Sequence, residues 1–277
     1  MTNVEHANAL FRTWMHEHLD RATHAFGLVV TSQPVWGWCW RSISAPADGV
    51  HGPCWLRVGS EQGRHIDAMP EMWTGTVSAG AITGVAKPRV LDSMEWDEPE
   101  QGRRVRADVM TLLPGRPCSD SEVLRAQPEL RASWWDELRR SLDMLATVRT
   151  ERFSDRGDTS RPAREVFGVD VRFSRWATCH RDLHWANLLG PQLGILDWEM
   201  WGRAPAAMDA AGLYCYSLLV PDVAATVRDV FADLLDGDHG RAVLLDAAAK
   251  ILQRIERTGD LAQLDAPLRV LAADLVE

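Results

Sequence analysis

The stretch Cys179–Gly202, CHRDLHWANLLGPQLGILDWEMWG, sets polar side chains between apolar runs. Asn187 follows Asp182 by five residues, and Asp197 follows Asn187 by ten. Magnesium prefers hard oxygen ligands, keeps several waters, and is usually held by one or two carboxylates plus substrate phosphates. Asp197 and the amide oxygen of Asn187 could supply those protein ligands. Asp182 would then accept a proton from an attacking hydroxyl. Each residue also has a structural reading: Asp182 capping a turn, Asn187 holding a loop, Asp197 starting a turn. All three at these spacings, each beside an apolar run, favour a site. His180 is read as a packing and hydrogen-bonding residue.

Such side chains need rigid elements to position them. The runs ATCHRD and LGILDWE read as two short strands joined in a hairpin-like layout, so that their polar ends face one space. Upstream, Glu5 to Ala25 has Leu10, Phe11, Trp14, Met15 and Leu19 at helical spacing. GLVVTS, VWGWCWRSIS and PCWLRVGS read as strands, with turn chemistry in APADGVHG. Alternation places Trp36, Trp38 and Trp40 on one strand face. A helix opened by Pro70 follows, and then a strand pair from KPRVLDSMEWDE and RRVRADVMTLLPG. Beyond LLPGRPCSDSE the chain turns helical, from SEVLRAQPELRASWWDELRR through a polar loop, RFSDRGDTSRPARE, to four more helical segments. The class this predicts is α+β: a small mixed N-lobe with an antiparallel sheet over 1–113, a hinge near 110–115, and a larger, mainly helical C-lobe over 114–277.

Composition narrows the chemistry. The chain has 277 residues, 46% hydrophobic, with a net charge of −9. An acidic chain argues against nucleic acid, whose phosphates want a basic surface, and is compatible with a cationic small molecule. No apolar run is long enough for a membrane span, and the N-terminal residues do not read as a signal peptide, so a cytoplasmic location is expected. The five cysteines are widely spaced without a CxxC, which fits reduced thiols better than a zinc site or a disulfide framework. Between Asp222 and Glu277 there are 11 acidic residues against 6 basic ones.

The segment CHRDLHWANLL…LGILDWE resembles the catalytic and metal-binding segments of the aminoglycoside phosphotransferase family, a small-molecule branch of the protein-kinase-like fold. His180, Asp182, Asn187 and Asp197 meet its pattern, and Gly202, Pro205 and Asp209 match its downstream segment. The resemblance implies a two-lobed kinase-like fold and Mg²⁺-dependent transfer of the γ-phosphate of ATP or GTP to a small-molecule hydroxyl, with an aminoglycoside-like or amino-alcohol acceptor. It makes Asp182 the catalytic residue and Asn187 and Asp197 the metal ligands. It further implies that Arg57, in CWLRV, binds nucleotide phosphates, with Glu71 as its helix partner and Glu61 as the alternative. Met110 would line the base pocket, and the Thr111 carbonyl and Leu113 N–H would face the base.

Departures from the pattern are specific. Arg181 replaces a small residue and gives the protein-kinase spelling HRD. His184 and Trp185 follow it, and the expected nucleotide loop, SQPVWGWCW, has one glycine, Gly37. No GxxxxGK[ST] occurs. The N-lobe, rich in tryptophan and without a glycine-rich loop, motivates a second reading, a catalytically weak nucleotide-binding or regulatory protein on the same fold. A protein kinase is disfavoured, because only a few residues separate DWE from DAA.

Overall fold

The computed structural model describes residues 3–50, 52–154 and 159–276. Residue 51 of the expected turn and residues 155–158 of the expected polar loop lie outside them. The chain divides into two compact units, Met1–Gly80 with Pro88–Leu113, and Ala81–Lys87 with Pro114–Glu277.

The first unit comprises α1 (Asn3–Ala25), β1 (Val29–Val30), β2 (Val35–Trp36), β3 (Ser42–Gly49), β4 (Gly52–Gln62), α2 (Gly63–Ala68), α3 (Pro70–Ser78), β5 (Val90–Glu98) and β6 (Arg103–Thr111). The sheet is antiparallel, in the order β1-β3-β4-β6-β5, with β2 also on β3. Alternation assigns its faces. Cys54, Leu56 and Val58 of β4 and Val105, Ala107 and Val109 of β6 point one way and bury against Met15, Leu19 and Ala22 of α1. Arg57, opposite Asp108 in the ladder, therefore points from the other face.

The strand expected through VWGWCWRSIS is interrupted. Trp36 pairs with Ile43, which makes the residues between them a hairpin loop. Gly37 N–H donates to the Ser42 carbonyl at 2.9 Å, and residues 38–40 form a tight turn closed by Trp40 N–H to the Gly37 carbonyl, 3.1 Å. Cys39 and Trp40 have φ of 50° and 56°, so the three tryptophans share no strand face.

The second unit comprises β7 (Arg116–Pro117), α4 (Ala132–Ala146), α5 (Arg161–Phe167), β8 (Trp176–Cys179), β9 (Leu188–Gly190), β10 (Gly194–Ile195), β11 (Gly202–Pro205), α6 (Met208–Ser217), α7 (Pro221–Val230), α8 (Ala232–Leu235), α9 (Gly237–Thr258) and α10 (Asp265–Val276). Residues 81–87 join it through the Ile195 N–H to Ala86 carbonyl bond, 2.7 Å. Helix α9 packs Ala242, Leu245 and Ala249 against Ala163 of α5 and Ala272 of α10.

Two expectations change here. The helix expected from SEVLRAQ starts only at Ala132. Ser119 and Ser121 hydroxyls both donate to the Val123 carbonyl, a local alternative to helix, and Pro128 follows. The hairpin expected between ATCHRD and LGILDWE does not form. Instead β8 pairs with β11, Cys179 opposite Gly202, while β10 pairs with β9 and β9 with β7. The apolar runs carry no information about which partner each takes.

Candidate active site

Strand β8 delivers the chain to His180. The backbone N–H groups of His180 and Arg181 each donate to the Asp209 carboxylate at 2.7 Å. Asp209 lies in the first turn of α6, so a carboxylate fixed on a helix clamps the turn that carries Asp182. Burial pushes the Asp209 carboxyl up to about 6, against the opposing pull of those two N–H bonds and Arg181. His180 is fully buried, meets Trp198 edge-on at 4.8 Å, and donates from Nε2 to the Leu196 carbonyl at 2.8 Å. Burial lowers its pKa to about 4, so the imidazole is neutral and works as a brace.

Arg181 has φ of 72°. A left-handed non-glycine residue is uncommon, and here it turns the chain so that Asp182 emerges with 47% of its side chain exposed. Protein packs around the rest of that carboxyl and raises it to about 6, helped by the charges of Glu122, Glu199 and Asp209 and opposed by Arg254.

Asn187 is buried on a 3₁₀ turn, residues 185–187. Its Nδ2 donates to the Asp182 carbonyl at 3.0 Å and to His184 Nε2 at 3.1 Å. Burial holds His184 near 4, so its ring is neutral and accepts that bond. Both bonds use the amide nitrogen, so the amide oxygen is the atom of Asn187 that could serve a metal. The turn is anchored from below by Trp185, fully buried, which donates to Ser217 Oγ at 2.9 Å and stacks on Trp134.

Asp197 is exposed and left-handed, φ 60°. Its neighbour Leu196 donates its N–H to the Asn187 carbonyl at 2.8 Å and accepts from His180. Three links thus bring Asp182, Asn187 and Asp197 into one neighbourhood. Among the described residues no three His, Cys, Asp or Glu side chains form a metal cluster. One carboxylate and one oriented amide oxygen are the sparse oxygen set that suits Mg²⁺ rather than zinc.

The wall beside Asp182 was not read from the sequence. Glu122 pairs with Arg254 at 2.9 Å, and Arg254 reaches Asp260 at 3.8 Å. Burial pushes Glu122 up, but its own backbone N–H and Arg254 outweigh that and hold it below the usual carboxylate range. Tyr216 meets His184 edge-on, and Trp185 N–H donates to the Glu122 carbonyl. Lys87, also missed, is buried beside Trp198, its ammonium 5.8 Å from the ring. The partners lie up to 132 residues apart in sequence, so no local spacing announces them.

In the first unit, Arg57 is half-buried in mid-β4 and Glu71 lies in the first turn of α3. Glu61, the alternative partner for Arg57, lies further along β4. Four residues of strand separate them by about 13 Å, and the Glu61 carboxylate is bound to Arg41 at 2.8 Å and His65 at 3.0 Å. Arg106 reaches Asp108 at 3.1 Å and the Trp73 carbonyl at 2.7 Å, tying α3 to the sheet. Met110 is buried near the end of β6. Thr111 exchanges two hydrogen bonds with the Arg89 backbone, and Leu113 closes the unit.

This architecture, an antiparallel sheet unit followed by a helical unit carrying the His–x–Asp segment, is the protein-kinase-like fold. Aminoglycoside phosphotransferase APH(4)-Ia shares it with a TM-score of 0.59 at 12% identity, over 93% of this chain and 96% of that one. A thermostable mutant of that enzyme, in ternary complex with AMP-PNP and hygromycin B, aligns at 0.60 with 13% identity, over 93% and 97%. An amicoumacin kinase in complex with AMP-PNP and Ca²⁺ aligns at 0.54 with 14% identity, over 94% and 96%. No family model and no curated protein matches the sequence.

Proposed function

We propose that this protein is a Mg²⁺-dependent phosphotransferase that moves the γ-phosphate of ATP or GTP to a hydroxyl of a small molecule. The observation that supports it most is the braced set of Asp182, Asn187 and Asp197: an aspartate on a turn clamped by Asp209, an amide held by two bonds to its nitrogen, and a left-handed aspartate tied to both through Leu196. Likeness in fold to phosphotransferases that bind AMP-PNP adds to it.

Asp182 orients the acceptor hydroxyl and takes its proton. Asn187 and Asp197 would hold the metal, which would neutralise charge on the transferring phosphoryl group. Arg57, paired with Glu71, binds nucleotide phosphates. Met110, the Thr111 carbonyl and the Leu113 N–H receive the base. Catalysis is then mainly positioning and charge neutralisation, as phosphoryl transfer requires. The acceptor we favour is cationic, an aminoglycoside-like molecule or an amino alcohol, because Glu122, Glu199 and Asp209 outnumber Arg254 among the charges that act on Asp182.

The test is a phosphate-transfer screen with ATP and GTP against aminoglycosides, other antibiotics, amino alcohols and sugars. On the acceptor found, Asp182→Asn keeps nucleotide affinity and loses turnover by about 100-fold or more, the range for a lost general base. Undiminished turnover in that variant rejects the assignment. A complete absence of transfer across the panel rejects the function.

A further inference from the structure

The segment after Asp197 is gripped by a residue outside the motif. Arg152 donates from Nε to the Trp201 carbonyl at 2.9 Å and from Nη2 to the Glu199 carbonyl at 3.2 Å. Its guanidinium also lies 4.6 Å from the centre of the Trp201 ring. The planar fork thus meets two carbonyls two residues apart while its face lies over the Trp201 ring, a geometry an ammonium cannot reproduce. The backbone joins in, because Arg203 N–H donates to the Arg152 carbonyl at 2.8 Å.

Two further observations point the same way. A Cβ at Gly202 would fall 2.7 Å from both the Arg152 carbonyl oxygen and the Phe153 ring, so the chain at 202 is pressed against 152–153 with no room for a side chain. Phe153 is buried and left-handed, φ 57°, and the Arg181 guanidinium stacks 4.1 Å from its ring centre. Three left-handed non-glycine residues, Phe153, Arg181 and Asp197, therefore belong to one contact network. Each such backbone is strained and persists only where the surroundings over-determine it.

We propose that Arg152 is a positioning residue that holds Asp197 in its left-handed conformation by gripping the carbonyls of Glu199 and Trp201. His180 does the same on the other side of Asp197, through Leu196. Phe153 and Arg181 form the packed wall that joins this brace to the turn carrying Asp182. The inference rests on the reading of Asp197 as a metal ligand, but its structural part does not.

The test uses the full-length protein and the variants Arg152→Met and Arg152→Lys. In ligand-free protein, hydrogen exchange is followed in peptides covering 196–203, with the sheet of the first unit as internal control. In active protein, turnover is titrated with Mg²⁺, and nucleotide affinity is measured without metal. For Arg152→Met we expect faster exchange confined to 196–203. We also expect an Mg²⁺ requirement or turnover altered by about 10- to 100-fold, the usual effect of losing a partner that orients a metal ligand, with metal-free nucleotide affinity unchanged. Arg152→Lys recovers only part of either loss. Should Arg152→Met not fold, Arg152→Lys decides on the same readouts. Wild-type exchange together with wild-type Mg²⁺ dependence in a folded variant overturns the proposal. An inactive wild type with a loosened variant removes the phosphotransferase reading and leaves the brace. An active wild type with an unaltered variant removes the brace and leaves the reaction.

Discussion

At the scale of single residues, the site stands on carboxylates held above their ordinary titration range. Asp182 and Asp209 both lie near 6 in the folded chain, against 3.8 for an ordinary aspartate, chiefly because burial disfavours their charge. Between those pH values the folded state holds more protons than the unfolded one. Their contribution to stability therefore falls as pH rises from about 4 to about 6, and stays lower above. His180 and His184 act oppositely. They are neutral in the fold, near 4 against 6.5, so acidification below 6.5 favours the unfolded chain. Replacing Asp182 with Asn isolates one of these terms. The melting temperature of Asp182→Asn should exceed that of the parent most clearly above pH 6, and the gap should close toward pH 4. A difference that does not change with pH would contradict the shift assigned to Asp182.

At the scale of elements, the polar motif works because four short strands and one helix end meet around it. Strand β8 lies against β11 and β9 against β10, so Asp182 and Asp197 leave different strand pairs. Trp185 and Trp198 carry the turn into the core, each with its indole N–H satisfied, by Ser217 Oγ and the Ile195 carbonyl. Helix packing in the second unit is equally close at the α8–α9 junction. A Cβ at Gly240 would lie 2.2 Å from the Leu235 carbonyl. Alanine gains about 1 kcal/mol over glycine in helix propensity, whereas overpacking against backbone costs about 1–3 kcal/mol. The clash wins, and Gly240→Ala should lower stability in a urea titration. A variant as stable as the parent would show that α8 can give way.

At the scale of the whole molecule, the two readings of this fold, transferase and binding protein, differ in what the metal does. Bound nucleotide at 100 times its Kd adds about 2.7 kcal/mol to the folded state. If Asn187 and Asp197 hold Mg²⁺ against nucleotide phosphates, a thermal-shift series should show a larger rise with nucleotide and Mg²⁺ together than with either alone. Equal shifts with and without metal would count against that pair as ligands. Metal-dependent stabilisation with no transfer to any acceptor would favour the binding protein. Among the described residues no helix is long and apolar enough to cross a membrane.

Much of this was legible in the linear chain. The spacing of Asp182, Asn187 and Asp197, the alternation in β4 and β6, and the helical period of α1 and α9 are local signals. Each is set by geometry over a few residues: 2.0 per repeat on a strand, 3.6 on a helix, polar side chains at the ends of apolar runs. They sufficed for an antiparallel sheet followed by helices, and they made Asp182, Asn187 and Asp197 candidates, whereas Arg57, Glu71, Met110, Thr111 and Leu113 entered only through the family resemblance. Tertiary structure alone decided the rest. It gave β8 the partner β11, broke the tryptophan run into a loop, and set Glu122 against Arg254 across 132 residues and Arg152 against Trp201 across 49. Such choices depend on side chains distant in sequence competing for the same buried groups, and a strand or an arginine by itself does not encode which carbonyl it will meet.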